Sequence, residues 1–310
     1  MSSVTVALVG AKEIAVGLGK RGTQSDVTLY NAVRDGHQAT LVEPTQYPEK
    51  FPPLLSALAM ADRVVFVVPG LSKEVAEVAA TLDVVAPPTV VRYGENTGEG
   101  ELKRLFKGSP LEEASYAPLQ LAALREEIDS WTSPIREGSV RVRLDHAFPV
   151  KGVGAVALGL VRQGTVRAHD SLRLYPTERV VEVRSLQVHD VDVREAVSGS
   201  RVGLALRGVE AEELSRGQVL APPGALTVGT TVEVTHLRLS RYYRGKAATG
   251  QTVQAQIGLQ IVPAKWAALE GERGRLEFDR PVASEAGESV VVADLSVPTG
   301  PRIEGAGRIG

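Results

Sequence analysis

The sequence contains no cysteine. That absence excludes disulfide bonds, thiolate nucleophiles and cysteine-ligated zinc or iron–sulfur centres. Histidine is also scarce, and no two histidines have the short spacing that places a pair of metal ligands on one helix face. The histidines are His37, His146, His169, His189 and His236. The sequence therefore predicts no protein-ligated metal site.

Long apolar runs and a strong excess of one charge are missing as well. The apolar run at residues 4–9 is short and follows no basic segment, so it is not typical of a signal peptide. No other run approaches the ~20 residues of a membrane-spanning helix, and we expect a cytoplasmic protein with no membrane partner. The formal net charge is -2, so any RNA binding would have to come from a local basic patch.

The first compositional zone, residues 1–134, alternates apolar strand patterns with helical ones. Continuous apolar runs predict buried strands at residues 4–10, 36–44, 63–69 and 88–93. Apolar residues at helical spacing predict helices at residues 52–61, 71–82 and 119–131. Strands that alternate with helices imply a mainly parallel sheet with helices on its faces, which is an α/β domain.

Two further zones, residues 138–224 and 225–310, consist of short strands separated by turns. Pro134 and Gly138 mark the first boundary, and a Pro/Gly cluster ending at Gly224 marks the second. Regular turn signals without a helical period predict two small β-barrels. Alternation along the strands predicts an inward face made of Val140, Val142 and Leu144 on one strand and Val156, Leu158 and Leu160 on the next.

The middle zone carries an ordered set of glycines and of charged, polar and aromatic residues. The set includes Asp145, Phe148, Lys151, Gly152, Gly154, Gly159, Gly164, Asp170, Gln187, His189, Arg207, Gly208, Arg216 and Gly217. With these residues the segment resembles the second domain of elongation factor Tu and of the selenocysteine-specific elongation factor. In that family the second domain receives the aminoacylated 3′ end of tRNA. The resemblance implies tRNA or aminoacyl-tRNA as a partner, with the ribosome as a further one, and no DNA.

Two elements of the middle barrel are the predicted RNA contacts, namely the turn at residues 152–154 and the loop at residues 194–201. Arg194 and Arg201 are the candidate RNA-binding side chains, through phosphate contact or stacking on the terminal adenine. The alternative is that each is an ordinary solvated arginine. Gly152, Gly154, Gly159 and Gly164 are predicted at bulges and tight corners that need a positive φ.

The last zone resembles the third domain of the same factors, and its tail at residues 292–310 is similar to the strands that close that barrel. Within it, the sequence RLSRYYRGK places cations around two tyrosines, a combination that suits an RNA backbone. The alternative is a solvated hairpin whose tyrosines cover the core. The candidate RNA-binding residues here are Arg238, Arg241, Tyr242, Tyr243, Arg244 and Lys246.

The resemblance also implies that the first domain is a GTPase, but its phosphate-binding motif is incomplete. The motif G-x4-G-K-[ST] needs a second glycine where this chain has Ala15. A similar stretch farther on contains Lys20 but no hydroxyl residue directly after it. Lys20 is a candidate phosphate ligand, and Thr23 is a candidate substitute for the hydroxyl that binds magnesium.

The magnesium-side strand departs from the family as well. Aligned without gaps on the selenocysteine-factor motif Asp-x-Pro-Gly-His, the acidic position is Glu43, the glycine is Gln46 and the catalytic histidine is Tyr47. Glu43 is a candidate metal ligand through water. The guanine-reading motif Asn-Lys-x-Asp is absent after the strand at residues 88–93. Each substitution removes a group that GTP hydrolysis requires.

Together these features predict a degenerate P-loop GTPase-like α/β domain (1–134) followed by two small elongation-factor-type β-barrels (138–224 and 225–310). We expect a translation-factor-like protein that binds tRNA or the ribosome without efficient GTP hydrolysis, and no cofactor. No catalytic residue is predicted. Two alternatives stay open, namely an active GTPase that uses GTP and magnesium to deliver a specialised aminoacyl-tRNA, and a non-catalytic protein-interaction module.

Overall fold

A computed structural model describes residues 2–177 and 179–310 of the chain. By spatial proximity the chain divides into two compact units. The first contains the chain up to Ser133 together with residues 237–247 and 291–306, and the second contains residues 134–236, 248–290 and 307–310. None of the helices in the described ranges is long and apolar enough to cross a membrane.

The first unit is built on one mixed sheet in the order β2-β3-β4-β1-β5-β6-β7. Its strands are β1 (Ser2–Val9), β2 (Lys20–Gln24), β3 (Thr28–Arg34), β4 (His37–Glu43), β5 (Arg63–Val68), β6 (Thr89–Tyr93) and β7 (Ser115–Pro118). The strands from β4 through β1 and β5 to β7 run parallel. The predicted mainly parallel sheet is therefore present, and the antiparallel extension formed by β2 and β3 is a feature that the sequence patterns did not predict.

Helices cover this sheet, and their ends follow from local sequence. They are α1 (Pro52–Met60), α2 (Lys73–Val85), α3 (Glu99–Leu105) and α4 (Leu121–Asp129). Proline at the start of α1 costs no hydrogen bond, because the first N–H groups of a helix have no partner in any case. The Ser72 side chain accepts a hydrogen bond from the Val75 N–H and so begins α2.

The segment between β1 and β3 contains no α-helix within the residues that the structure describes. It holds a single 3-10 turn, Ala15–Gly17, and then strand β2. Glycines at positions 17, 19 and 22 disfavour a helix there. The apolar face left open is covered by α4, whose Leu124 and Ile128 pack in one core cluster with Tyr30 and Ala32.

The middle barrel lies in the second unit. Its strands are β8 (Arg141–Val150), β9 (Gly154–Gln163), β10 (Thr165–Arg167), β11 (Ser171–Tyr175), β12 (Val180–Val188), β13 (Val191–Val193), β14 (Glu195–Val197), β15 (Arg201–Arg207) and β16 (Val219–Ala221). The main sheet runs β11-β16-β8-β9-β15-β12-β13, and pairing of β11 with β12 closes it.

The core of this barrel corrects one prediction about its inward face. Val142 and Leu144 are buried in the core as predicted, but on β9 the inward residues are Ala155 and Ala157 rather than Val156 and Leu158. Leu160, the third residue predicted on β9, is buried. Gly159 does not have the positive φ predicted for it, and its need for glycine comes from packing, because a Cβ atom there would lie 2.6 Å from the Arg143 carbonyl oxygen.

The last barrel is closed in the order β17-β20-β19-β18-β21-β22. Its strands are β17 (Thr227–Leu239), β18 (Thr252–Ile257), β19 (Gln260–Glu270), β20 (Arg273–Ser284), β21 (Ser289–Ala293) and β22 (Ile303–Ile309). Within the second unit, Arg143 of the middle barrel donates to Glu288 of the last barrel at 2.5 Å, and Tyr175 packs in one apolar cluster with Ala283.

Candidate nucleic-acid site and altered phosphate loop

The loop after β1, residues 10–14, occupies the position of a phosphate-binding loop. It follows the strand at which the sheet order reverses, with β4 on one side and β5 on the other, and ligands of α/β sheets bind at such points. Gly10 has φ 93°, and a Cβ atom there would lie 2.1 Å from the Val67 carbonyl oxygen, so only glycine fits. Glu13 also has a positive φ, of 65°.

Glu43 lies at the carboxyl end of β4, beside this loop, and is buried with 6% of its surface exposed. Its Oε2 atom accepts a hydrogen bond from the Tyr30 hydroxyl at 3.3 Å. Burial raises the pKa of the Glu43 carboxyl, while the Tyr30 hydroxyl and the backbone N–H groups of Glu13, Ile14 and Ala15 oppose that rise. Among the described residues, Oε1 accepts no hydrogen bond of ordinary geometry.

The structure does not place Lys20 beside Glu43. Lys20 is exposed at the start of β2 and pairs in register with Asn31, whereas Glu43 pairs with Thr28. Those two levels are three residues apart along β3, which corresponds to about 10 Å. Thr23 lies on β2, half-buried, between these levels. A nucleotide role for Lys20, Thr23 and Glu43 stays a prediction.

The segment after β4, residues 44–51, is anchored by its own side chains. The Tyr47 hydroxyl donates to the Glu74 carbonyl oxygen of α2 at 2.8 Å, and the Gln46 N–H donates to the Asp26 carbonyl oxygen at 3.0 Å. Burial, with a further contribution from the carboxylate of Glu77, raises the pKa of Tyr47. Tyr47 is therefore a buried neutral phenol that fixes this segment to α2.

Arg302 lies between β21 and β22 in the same unit and also holds residues 48–51 in place. Its guanidinium donates to both carboxylate oxygens of Glu77, at 2.9 and 2.6 Å, and to the Pro48 carbonyl oxygen at 3.0 Å. It also lies over the Phe51 ring, 5.1 Å from the centroid. This Arg302 clamp holds residues 48–51 and α2 together through charge-assisted hydrogen bonds.

The middle barrel contains a buried ionic cluster made of Asp145, Arg201 and His189. Arg201 donates to Oδ1 of Asp145 at 2.8 Å, and the two side chains are 12% and 2% exposed. Within residues 2–177 and 179–310, Oδ2 of Asp145 and Nε of Arg201 are buried and have no hydrogen-bond partner. Burial and the charge of Arg201 lower the pKa of His189, so the cluster favours its neutral imidazole.

Three exposed features lie on the strands and loops around that cluster. Phe148 on β8 is exposed and stacks at a tilt against His146, with ring centroids 5.8 Å apart. Arg194 is exposed on the loop after β13. The turn at residues 152–154 has a positive φ at both glycines, as predicted, and Arg184 donates to the Val153 carbonyl oxygen at 3.1 Å.

The basic segment at residues 238–246 has several intramolecular contacts in the first unit. Arg238 and Arg241 both approach the buried Asp83 of α2, at 3.7 and 3.6 Å. The Tyr243 hydroxyl donates to Asp294 at 2.6 Å.

Arg241 also lies over the Tyr242 ring at 4.9 Å. Arg244 and Lys246 are exposed. The positive charge available to an RNA is thus reduced, because two of the predicted contact residues face Asp83.

Several residues of these sites were not assigned a role from the sequence. Asp145 belongs to the set of residues on which the family resemblance rests, and that is the signal that could have identified it. Glu77 and Arg302 carry no local signal, because they lie far apart in sequence and meet only in the fold. In the described part of the chain, no group of three or more acidic, histidine or cysteine side chains is placed to hold a metal ion.

Comparison with known proteins agrees with this architecture. Residues 154–221 match the family model of elongation factor Tu domain 2. The structure is similar to that of SelB from Methanococcus maripaludis in complex with the GTP analogue GPPNHP. The match covers 100% of this chain and 79% of SelB, with a TM-score of 0.84 and 22% identity. A bacterial selenocysteine-specific elongation factor gives a TM-score of 0.81 at 17% identity over 100% of this chain and 58% of the other. At these identities the likeness shows the fold alone.

Among curated sequences, the selenocysteine-specific elongation factor of Methanocaldococcus jannaschii is 32% identical over 177 residues, which are 56% of this chain and 34% of that protein. In fold and in sequence the chain is therefore similar to elongation factor Tu and SelB, and the predicted resemblance and fold class are confirmed. More particularly, the chain belongs to the family of the uncharacterized protein MJ0325 of M. jannaschii, with 32% identity over 312 residues and 100% coverage of both chains.

Proposed function

We propose that this protein binds tRNA, with the aminoacyl end on the middle barrel, and that this binding needs no nucleotide. The observation that carries the proposal is the match of residues 154–221 to elongation factor Tu domain 2, in a barrel that exposes Phe148 and Arg194. The Asp145–Arg201 ion pair holds the Arg201 guanidinium in place at 2.8 Å.

The aminoacylated end of a tRNA has the matching chemistry. Its ester and α-amino group offer an acceptor and a donor, and its terminal base offers a ring face. The partly exposed Arg201 suits the acceptor, and the exposed Phe148 suits stacking against the base. Arg194 suits a neighbouring phosphate. The selenocysteine-specific elongation factors that this chain resembles support the same class of partner, with the ribosome as a further one.

Nucleotide independence is supported by the first unit. Among the described residues, no α-helix follows the loop after β1, and the buried Glu43 lies against that loop. Tyr47 and the Arg302 clamp hold the segment that moves in a GTPase. SelB of M. maripaludis was crystallised with a GTP analogue. The features of this chain at the loop after β1, at Glu43 and at Tyr47 support a protein of the same fold that lacks the nucleotide switch.

Filter binding to aminoacyl-tRNA and to deacylated tRNA over a salt series tests the proposal. We expect aminoacyl-tRNA to bind at least tenfold more tightly than deacylated tRNA, and both affinities to fall with salt because phosphate contacts release counterions. Arg194→Ala should weaken both RNAs. Arg201→Lys, which keeps the charge beside Asp145, should selectively reduce the preference for the aminoacylated end. Arg280→Ala, at an exposed arginine of β20, is the matched control.

Weak binding with no salt dependence would contradict RNA binding. Recovery of a protein partner with no RNA would then favour a protein-interaction module. Binding that appears only with GTP and magnesium would instead favour an active GTPase that delivers an aminoacyl-tRNA.

A further inference from the structure

We propose that the Glu43 carboxylate occupies the position of a bound phosphate in the loop after β1, so that the protein carries its own anion where its relatives bind one. This inference rests on the nucleotide-independent part of the proposed function. It concerns residues of the first unit alone.

The loop has the features of an anion site. Glu13 has a positive φ and the next residue, Ile14, is in the right-handed helical region, and such a pair turns successive N–H groups toward one point. In the described structure, the N–H groups of Glu13, Ile14 and Ala15 make no backbone hydrogen bond. A phosphate would normally receive such groups.

Glu43 is the group that these N–H groups face. Glu43 is buried, with 6% of the residue exposed, and the N–H groups of residues 13–15 oppose the rise in pKa that burial causes. The approach is looser than an ordinary hydrogen bond, because Oε1 has no partner of standard geometry among the described residues. Tyr30 fixes the other oxygen. A carboxylate held at this point excludes a second anion through charge repulsion and volume.

The carboxylate is also covalently joined to the segment that a bound phosphate would order. Glu43 is followed directly by residues 44–51, and the far part of that segment is held by Tyr47 and by Arg302. The segment is therefore fixed at one end by Glu43 and at the other by the Arg302 clamp. In nucleotide switches, the γ-phosphate performs the first of these tasks and its loss releases the segment. Here neither attachment can be lost by hydrolysis.

Removal of the carboxylate should open the loop to an external anion. We expect Glu43→Ala to bind inorganic phosphate at least tenfold more tightly than the unchanged protein, measured by calorimetry and by the rise in melting temperature with phosphate concentration. Acetate, a carboxylate of similar charge, should compete with the phosphate. Glu95→Ala, at an exposed glutamate after β6, is the matched control and should behave like the unchanged protein.

A second variant keeps the test decisive if Glu43→Ala fails to fold. Glu43→Gln preserves the shape of the side chain and removes its charge, so the amide proton resonances of residues 13–15 should move upfield by NMR, whereas Glu95→Gln should leave them in place. Equal phosphate binding by the unchanged protein and by folded Glu43→Ala would overturn the proposal, as would unchanged resonances in Glu43→Gln. RNA is absent from both measurements, so a failure of tRNA binding leaves their outcome unaffected.

Discussion

Replacing Arg302 with alanine should destabilise the first unit by about 3 kcal/mol. The substitution leaves Glu77 buried, with 9% of its side chain exposed, and without its cation. Breaking a buried ion pair by removing one partner costs about 3–5 kcal/mol. The Arg302 side chain is 21% exposed, so water partly screens the loss and the lower end of that range applies. In a unit of this size the change corresponds to a fall in melting temperature of about 6–12 °C.

The two tryptophans make this measurable for each unit separately. Trp131 lies in the first unit and Trp266 in the second, and both are buried. Urea unfolding followed by fluorescence in a Trp266→Phe background therefore reports the first unit. Arg302→Lys keeps the charge but loses the paired geometry, and should cost about 1–2 kcal/mol.

Arg104→Ala is the matched control, because Arg104 is an exposed arginine on α3 of the same unit. It should change the free energy of unfolding by less than about 0.5 kcal/mol. Equal effects of Arg302→Ala and Arg104→Ala would refute the clamp.

Four further predictions concern the second unit and the α3 helix. Arg143→Ala, which leaves the Glu288 carboxylate unpaired between the barrels, should cost about 3 kcal/mol by urea unfolding followed at the second unit's tryptophan. Gly159→Ala should cost about 1–3 kcal/mol in the same assay because its new Cβ meets a carbonyl, whereas Gly100→Ala, with open space inside α3, should stabilise by about 0.5–1 kcal/mol. The pKa of His189 is lowered from 6.5, so its contribution to stability is present above pH 6.5 and is lost as pH falls through the lowered pKa. His189→Gln should flatten that loss in unfolding measured from pH 7.5 to about 5.

Much of the fold could be predicted because periodic apolar runs specify buried strands and helices locally. The strands β1, β4, β5 and β6 and the helices α1, α2 and α4 all fall where the apolar pattern places them. The hairpin of β2 and β3 was missed because its polar, glycine-rich sequence has little periodicity, and its place depends on the sheet edge that it joins. The inward face of β9 was misassigned because Ala155 and Ala157 are small, so the larger Val156 and Leu158, which are only half-buried, dominate the apolar pattern.

The candidate sites were less predictable for a different reason. Motif departures at Ala15, Gln46 and Tyr47 are local and can be read along the chain. The ion pairs around these sites join residues that are distant in sequence. Arg302 pairs with Glu77, and Arg238 approaches Asp83. A sequence does not distinguish an arginine that is exposed to solvent from one that is paired with a carboxylate. For that reason the segment at residues 238–246 was predicted as an RNA contact without knowledge of its acidic neighbour.

The most direct test of the central claim is the affinity for aminoacyl-tRNA measured with no nucleotide, with GDP and magnesium, and with a non-hydrolysable GTP analogue and magnesium, at one fixed salt concentration. If the switch is replaced by the protein's own contacts, the three dissociation constants should agree within about twofold, since a nucleotide that does not bind cannot shift an equilibrium. A tenfold or greater difference between the GTP analogue and GDP, about 1.4 kcal/mol, would contradict the account.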